Sequence, residues 1–188
     1  MRILLASRSP RRQELLSRVG LKFDVVPADI DESSGFSDPS EIVCDLSLRK
    51  ASFVAGKAKS DDIVISADTL VALEGQCLGK PEDAADAARM LRMLSGKSHE
   101  VYTGMTVMQN GRADTRFEMT RVRFKALSDG EIEGYLSTGE PMDKAGAYGI
   151  QGYGAFFVEG IEGDYLNVMG LPLKTLYEML KKFGVSLI

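Results

Sequence analysis

The sequence predicts an α/β domain built on a mixed sheet, and three observations carry that expectation. Short apolar runs alternate with amphipathic stretches along all 188 residues. Two segments with a two-residue period, Val101 to Met108 and Arg116 to Phe124, flank Asn110-Gly111. That pair is a strong hairpin signal, and it rules out a purely parallel sheet. No repeat, low-complexity tract or linker interrupts the chain. A single domain over residues 1–188 is therefore expected, with room for two lobes around a cleft.

The elements follow in order. Arg2 to Ala6 reads as a buried strand. Ser9 is placed to cap a helix with Pro10 at its first position; Leu15, Leu16 and Val19 form its apolar stripe and Gly20 ends it. Phe23 to Val26 reads as a second strand. Asp38-Pro39-Ser40-Glu41 opens a long helix with Ile42, Val43, Leu46, Ala51, Val54 and Ala55 facing inward. Asp62 to Ser66 and Thr69 to Leu73 read as two strands broken at Ala67-Asp68. After Pro81 a helix is expected with Ala84, Ala87, Ala88, Leu91 and Leu94 inward, stopped by Gly96. Ser128 and Glu131 form a capping box for a helix through Leu136. A glycine-rich stretch, DKAGAYGIQGYG, leads into an expected strand from Ala155 to Val158. Leu173 to Phe183 closes the chain as a helix.

Composition narrows the chemistry. A net charge of −4 offers no basic footprint for nucleic acid, so local basic clusters point to a small anionic ligand. Cys44 and Cys77 lack a CxxC spacing and read as thiols in a reducing compartment. His99 is the only histidine, which excludes His-dependent triads and disfavours a zinc site. The apolar run at the N-terminus is too short for a signal peptide or membrane span, so a soluble, cytoplasmic protein is expected.

The densest chemistry lies in ASRSPRRQELL, Ala6 to Leu16. A strand runs into a loop and then into a helix whose first turn carries Arg11 and Arg12. Helix N-termini present unpaired N–H groups and partial positive charge, a natural anion site. Ser7 and Ser9 add hydroxyls, and arginine can hold phosphate bidentately. The alternative is a solvated basic helix start. Neither GxxxxGK[ST] nor GxGxxG is present. Asp68, in ISADTLVAL, is a candidate base or metal ligand; its alternative is a turn aspartate. Asp29, Asp31 and Glu32 form a second acidic cluster, for which a solvated loop is the ordinary reading. Lys50 and Lys80 could bind phosphate or simply face water. Together these residues suggest a nucleoside triphosphate, a divalent cation and an activated water.

The stretches LLASRSPRRQELL, DES, LRKA, SADTLV, LGKP, MLRMLSGKSHEV, DKAGAYGIQG and NVMGLPL, in this order, closely resemble the Maf family of nucleotide pyrophosphatases, also called septum formation inhibitor-like proteins. DKAGAYGIQG resembles the branch acting on dTTP and UTP. The resemblance covers essentially the whole chain. It implies a fold similar to the inosine triphosphate pyrophosphatases, with a mixed sheet and two lobes around a deep cleft, often as a homodimer. It implies hydrolysis of dTTP or UTP to monophosphate and pyrophosphate with Mg²⁺ or Mn²⁺. It makes Asp68 the proton acceptor and Ser7, Arg12, Glu32, Lys50 and Lys80 polar cleft residues, with Glu32 and Asp68 toward the metal. Arg11, Thr69 and Gln151 match positions tied to base selection. The family's older name suggests the alternative, a nucleotide-binding regulator of septation without turnover. A nucleotidyltransferase is disfavoured because ASRSPRR has no glycine-rich loop ahead of the arginines.

Overall fold

The computed structural model describes residues 1–188. Its seven-stranded mixed sheet has the order β2 (Asp24–Val25), β1 (Ile3–Leu5), β3 (Ile63–Leu73), β5 (Ser98–Gln109), β6 (Arg112–Phe124), β7 (Val158–Glu162), with β4 (Gln76–Leu78) paired to β3. The chain divides into two compact units. The first comprises Met1–Asp68, Thr103–Glu118 and Gly170–Ile188; the second comprises Thr69–Tyr102 and Met119–Met169. No helix is long and apolar enough to cross a membrane.

In the first unit, β1 (Ile3–Leu5) pairs in parallel with β2 (Asp24–Val25) and with the start of β3 (Ile63–Leu73). Leu4, Leu5, Ile63, Val64 and Ile65 are all buried. Burial on both faces is the pattern of a covered parallel strand, and it explains why these runs are continuously apolar. Leu4, Ala6 and Val64 pack with Met108 and with Ala51 and Val54 of α2 (Pro39–Ala55).

Helix α1 (Pro10–Arg18) starts with Pro10 as expected, but the Ser9 hydroxyl makes no capping bond. Its end corrects another expectation. Gly20 N–H donates to Ser17 O and Leu21 N–H to Leu16 O, the paired bonds of a Schellman motif with Gly20 at φ 73°. That turn sends Leu21 into the core and leaves Val19 39% exposed.

Helix α2 is capped as its sequence predicts: Asp38 Oδ1 accepts from the N–H of Ser40 and Glu41. It lies directly on β5 (Ser98–Gln109), because a Cβ on Gly104 would stand 2.2 Å from Val43 O. Only glycine permits that approach. Gly104→Ala should cost about 1–3 kcal/mol, the usual range for overpacking, and lower the thermal midpoint by several degrees. An unchanged midpoint would show that α2 moves aside without cost.

The second unit contains the far ends of β3, β5 and β6 (Arg112–Phe124). The β5–β6 turn at Asn110 (φ 49°) and Gly111 (φ 77°), which lies in the first unit, is the hairpin the sequence signalled. A second tight turn, not anticipated, joins β3 to β4 (Gln76–Leu78) through Glu74 and Gly75. Helix α3 (Ala84–Leu94) buries Ala87, Met90, Leu91 and Leu94, while Ala84 is exposed in the first turn. The capping box of α4 (Asp129–Ser137) forms in full. Ala155 to Phe157 make a 3₁₀ turn, and strand β7 runs from Val158 to Glu162, antiparallel to β6. A short helix α5 (Tyr165–Val168) precedes α6 (Leu173–Lys181) of the first unit.

His99 is buried in the second unit, edge-on to Phe124, with Nε2 2.8 Å from Tyr148 OH. Burial lowers its pKa to about 4, so it stays neutral at physiological pH. It is a core residue.

Candidate active site

Strand β3 is unbroken where the sequence suggested two strands. Asp68 is its sixth residue, and the ladder continues through Thr69 to Leu73. The expected break reflected the polar residue in an apolar run. A charged side chain is tolerated there because it finds a countercharge. Lys50 Nζ lies 2.6 Å from Asp68 Oδ1 and 2.6 Å from Glu32 Oε1. Lys50 is only 8% exposed. One buried ammonium thus joins two carboxylates drawn from β3 and the loop before α2.

Each member of this group is held from behind. Ser66 precedes Asp68 by one pleat repeat and so shares its face of β3. Its hydroxyl donates to Ser47 O at 2.6 Å, on the turn of α2 before Lys50. The Ser47 hydroxyl in turn lies 3.1 Å from Thr106 Oγ1 of β5. These buried bonds set the register of Lys50 on Asp68. Arg49, beside Lys50, donates through Nη1 to Ser33 O at 2.6 Å and through Nη2 to Asp31 O. The acidic loop is thereby tied to α2 with Glu32 toward Lys50. Asp31 itself is a turn residue: it accepts from the hydroxyl and the N–H of Ser33, and these bonds lower its pKa.

Arg12 closes the other side. Its Nη1 donates to Ala67 O at 2.8 Å and to Ser7 Oγ at 3.2 Å, and its Nε donates to Gly170 O at 2.9 Å. Burial lowers the Arg12 pKa against the opposing pull of Asp68. An arginine still remains protonated at neutral pH. Ser7, 8% exposed, also accepts from Ser9 N–H, which shapes the turn into α1. Arg11 is partly buried in the same first turn, which contains no acidic residue.

The first unit therefore brings together Ser7, Arg12, Glu32, Lys50 and Asp68, with Arg11 beside them. Thr69, Lys80 and Gln151 belong to the second unit, where Thr69 is partly buried and Lys80 and Gln151 are exposed. Arg49, Ser47 and Ser66 were not singled out from the sequence. The available signals were the adjacency of Arg49 to Lys50 in LRKA and the presence of hydroxyls on otherwise apolar faces.

No group of three His, Cys, Asp or Glu side chains is assembled for a metal. Two carboxylates, Glu32 and Asp68, do converge on one cationic centre. A pair of oxygen donors suits Mg²⁺ or Mn²⁺ bound together with phosphate oxygens and water, since Mg²⁺ seldom uses an all-protein cage. The donor set fits such an ion.

The chain has close relatives among known proteins. A family model described as Maf-like protein matches residues 2–183. A dTTP/UTP pyrophosphatase of Thermoanaerobacter sp. (strain X514) is 51% identical over 191 residues, covering 100% of both chains. A dTTP/UTP pyrophosphatase of Bacillus cereus (strain ATCC 10987 / NRS 248) is 48% identical over 186 residues, covering 98% of this chain and 91% of its own. Among solved structures, a HAM1 protein from Coxiella burnetii shares the fold, with a TM-score of 0.56 at 14% identity, covering 97% of this chain and 99% of the other. The architecture is thus the inosine triphosphate pyrophosphatase-like one. With the family model spanning nearly every residue and full-length relatives sharing about half of them, the chain belongs to the Maf-like protein family.

Proposed function

We propose that this protein is a nucleoside triphosphate pyrophosphatase that hydrolyses dTTP and UTP to the monophosphate and pyrophosphate. The observation that carries the proposal is the Glu32–Lys50–Asp68 group, set beside the Arg12-held turn into α1. Full-length relatives named for this activity support the substrate assignment. We take the whole chain to act as one domain and the functional form to be a cytoplasmic homodimer.

Asp68 orients a water and accepts its proton as the oxygen attacks the α-phosphorus. The bond from that phosphorus to the α–β bridging oxygen breaks, and pyrophosphate leaves with the bonding pair. There is little covalent work for the protein in such a transfer, so positioning and charge stabilisation carry the catalysis. Lys50 holds the Asp68 carboxylate in place. Arg12 and the N-terminus of α1 bind the phosphates, with Ser7 contributing its hydroxyl, and Lys80 is taken as a further phosphate ligand. Glu32 and Asp68 would hold the divalent cation, which supplies charge neutralisation for the departing pyrophosphate. Thr69, Arg11 and Gln151 select the base. The edge shared by thymine and uracil places an N3–H donor between two carbonyl acceptors. The Gln151 amide can meet N3–H and one carbonyl at once, and cytosine reverses that pattern.

A nucleotide panel with pyrophosphate detection, with and without Mg²⁺ or Mn²⁺, tests the proposal. The expected result is metal-dependent release of pyrophosphate from dTTP and UTP, well ahead of CTP and the purine triphosphates. Tight binding without turnover would favour a nucleotide-binding regulator. Comparable kcat/KM for dTTP, CTP and GTP would overturn the base assignment.

Glu32 gives a separate expectation. Its side chain is 55% exposed, so Glu32→Gln should leave stability nearly unchanged. The concentration of Mg²⁺ needed for half-maximal rate should rise. An unchanged metal titration would remove Glu32 from the metal site.

A further inference from the structure

The loop that carries Gln151 is built around a single carboxylate. Glu140 Oε2 accepts from Tyr153 N–H at 3.0 Å, and Oε1 accepts from Gly154 N–H at 3.4 Å and from Tyr135 OH at 2.9 Å. The same Tyr135 oxygen accepts from Gly149 N–H at 3.0 Å. Both ends of the segment from Gly149 to Gly154 are therefore tied to Glu140, one directly and one through Tyr135. Burial, with the Glu140 charge adding to it, raises the Tyr135 pKa and keeps the phenol a donor. Between the ends, Gly152 N–H closes a turn on Gly149 O at 3.4 Å. Ile150 is 7% exposed and anchors that turn inward, while Gln151 is left exposed at its outer corner.

The glycines have a physical reason here. A Cβ on Gly152 would stand 2.1 Å from Glu140 Oε2, and one on Gly149 would stand 2.6 Å from Lys144 Cε. A Cβ on Gly154 would meet Gly149 O at 2.6 Å. Lys144 is itself fixed, donating to Glu140 O at 2.8 Å. The backbone wraps a charged acceptor too closely for any side chain between them.

We propose that Glu140 is a positioning residue for base selection: it fixes the Gly149–Gly154 loop and so the direction in which Gln151 presents its amide. The inference rests on the reading that Gln151 recognises the base. A glutamine free to turn its amide over could pair with cytosine as well as with thymine, so selection requires a held backbone. One carboxylate accepting from both ends of the loop supplies that constraint. Glutamine at position 140 would keep the shape but place an NH₂ group against a backbone N–H, because it has one acceptor oxygen where the carboxylate has two.

The test compares kcat/KM for dTTP and CTP in the unaltered protein and in Gln151→Ala, Glu140→Gln and Gly152→Ala, with thermal unfolding of each. Gly152 has φ −103°, outside the left-handed region, and the three atoms nearest an added Cβ all belong to Glu140, so Gly152→Ala strikes the same contact from the loop side if Glu140→Gln fails to fold. Glu140→Gln and Gly152→Ala should each lower the dTTP-to-CTP ratio about 10-fold, chiefly through a higher KM for dTTP, in the same direction as Gln151→Ala. A merely structural role would lower the active fraction for both nucleotides alike and leave the ratio unmoved. If Gln151→Ala lowers the ratio and neither other variant does, the positioning role is overturned while base reading by Gln151 stands. If Gln151→Ala leaves the ratio unchanged, the base reading falls and this inference falls with it.

Discussion

Asp68→Asn should reduce turnover of dTTP by about 10²-fold or more, the usual worth of a general base, while leaving a folded protein that still binds nucleotide. Asparagine has nearly the volume of aspartate, and its amide oxygen can still accept from Lys50 Nζ, which stands 2.6 Å from Asp68 Oδ1. The strand has no reason to move, since β3 continues as a regular ladder on either side of this position. What is lost is the negative charge, and with it the ability to take a proton from water and to help hold a cation. The measurements are single-turnover pyrophosphate release and a separate equilibrium titration with dTTP. A variant that releases pyrophosphate at the unaltered rate would remove Asp68 from the chemistry. A variant that no longer binds dTTP would make it chiefly a binding residue.

Features governed by local rules were the legible part of this sequence. The Asp38 cap, the Ser128–Glu131 box and the Asn110-Gly111 turn each depend on residues within a few positions of one another, and each forms as expected. The continuity of β3 was not legible, because what permits Asp68 in the strand is Lys50, 18 positions away. For the same reason Lys50 could be read as a solvated lysine: it is 8% exposed, and the carboxylates that meet it, Glu32 and Asp68, are distant in sequence. The candidate site residues stood out through the family resemblance more than through their patterns. Residues that hold them, such as Ser66 on Ser47 O, carry no local signature beyond a hydroxyl on an apolar face. Glu140 had still less to mark it, for two of its carboxylate's partners are backbone N–H groups 13 and 14 positions away.

Replacing Lys50 should produce the other large effect, and here the structure changes what is expected from the sequence. As an exposed phosphate ligand, Lys50 could be removed with little loss of stability. As a buried ammonium between two carboxylates, it cannot. Lys50→Met keeps much of the side-chain volume but leaves Asp68, whose side chain is 13% exposed, with no ammonium beside it. Glu32, at 55% exposure, can turn to water, so most of the penalty falls on Asp68. Breaking a buried pair by removing one partner costs about 3–5 kcal/mol; with one carboxylate free to resolvate, a loss on the order of 2–3 kcal/mol is expected, which is roughly 5–10 °C in thermal midpoint for a chain of this size. Turnover should also fall by about 10²-fold or more as the base loses its support. The double variant Lys50→Met/Asp68→Asn separates the two effects. Asparagine needs no counter-ion, so the double variant should recover much of the stability lost in Lys50→Met while remaining as inactive as Asp68→Asn. Such non-additivity in unfolding free energy, beyond about 0.5 kcal/mol, is the signature of a direct charge pair. Additive losses in stability would mean that Lys50 and Asp68 act independently, and the Glu32–Lys50–Asp68 group would lose its place as the centre of the site.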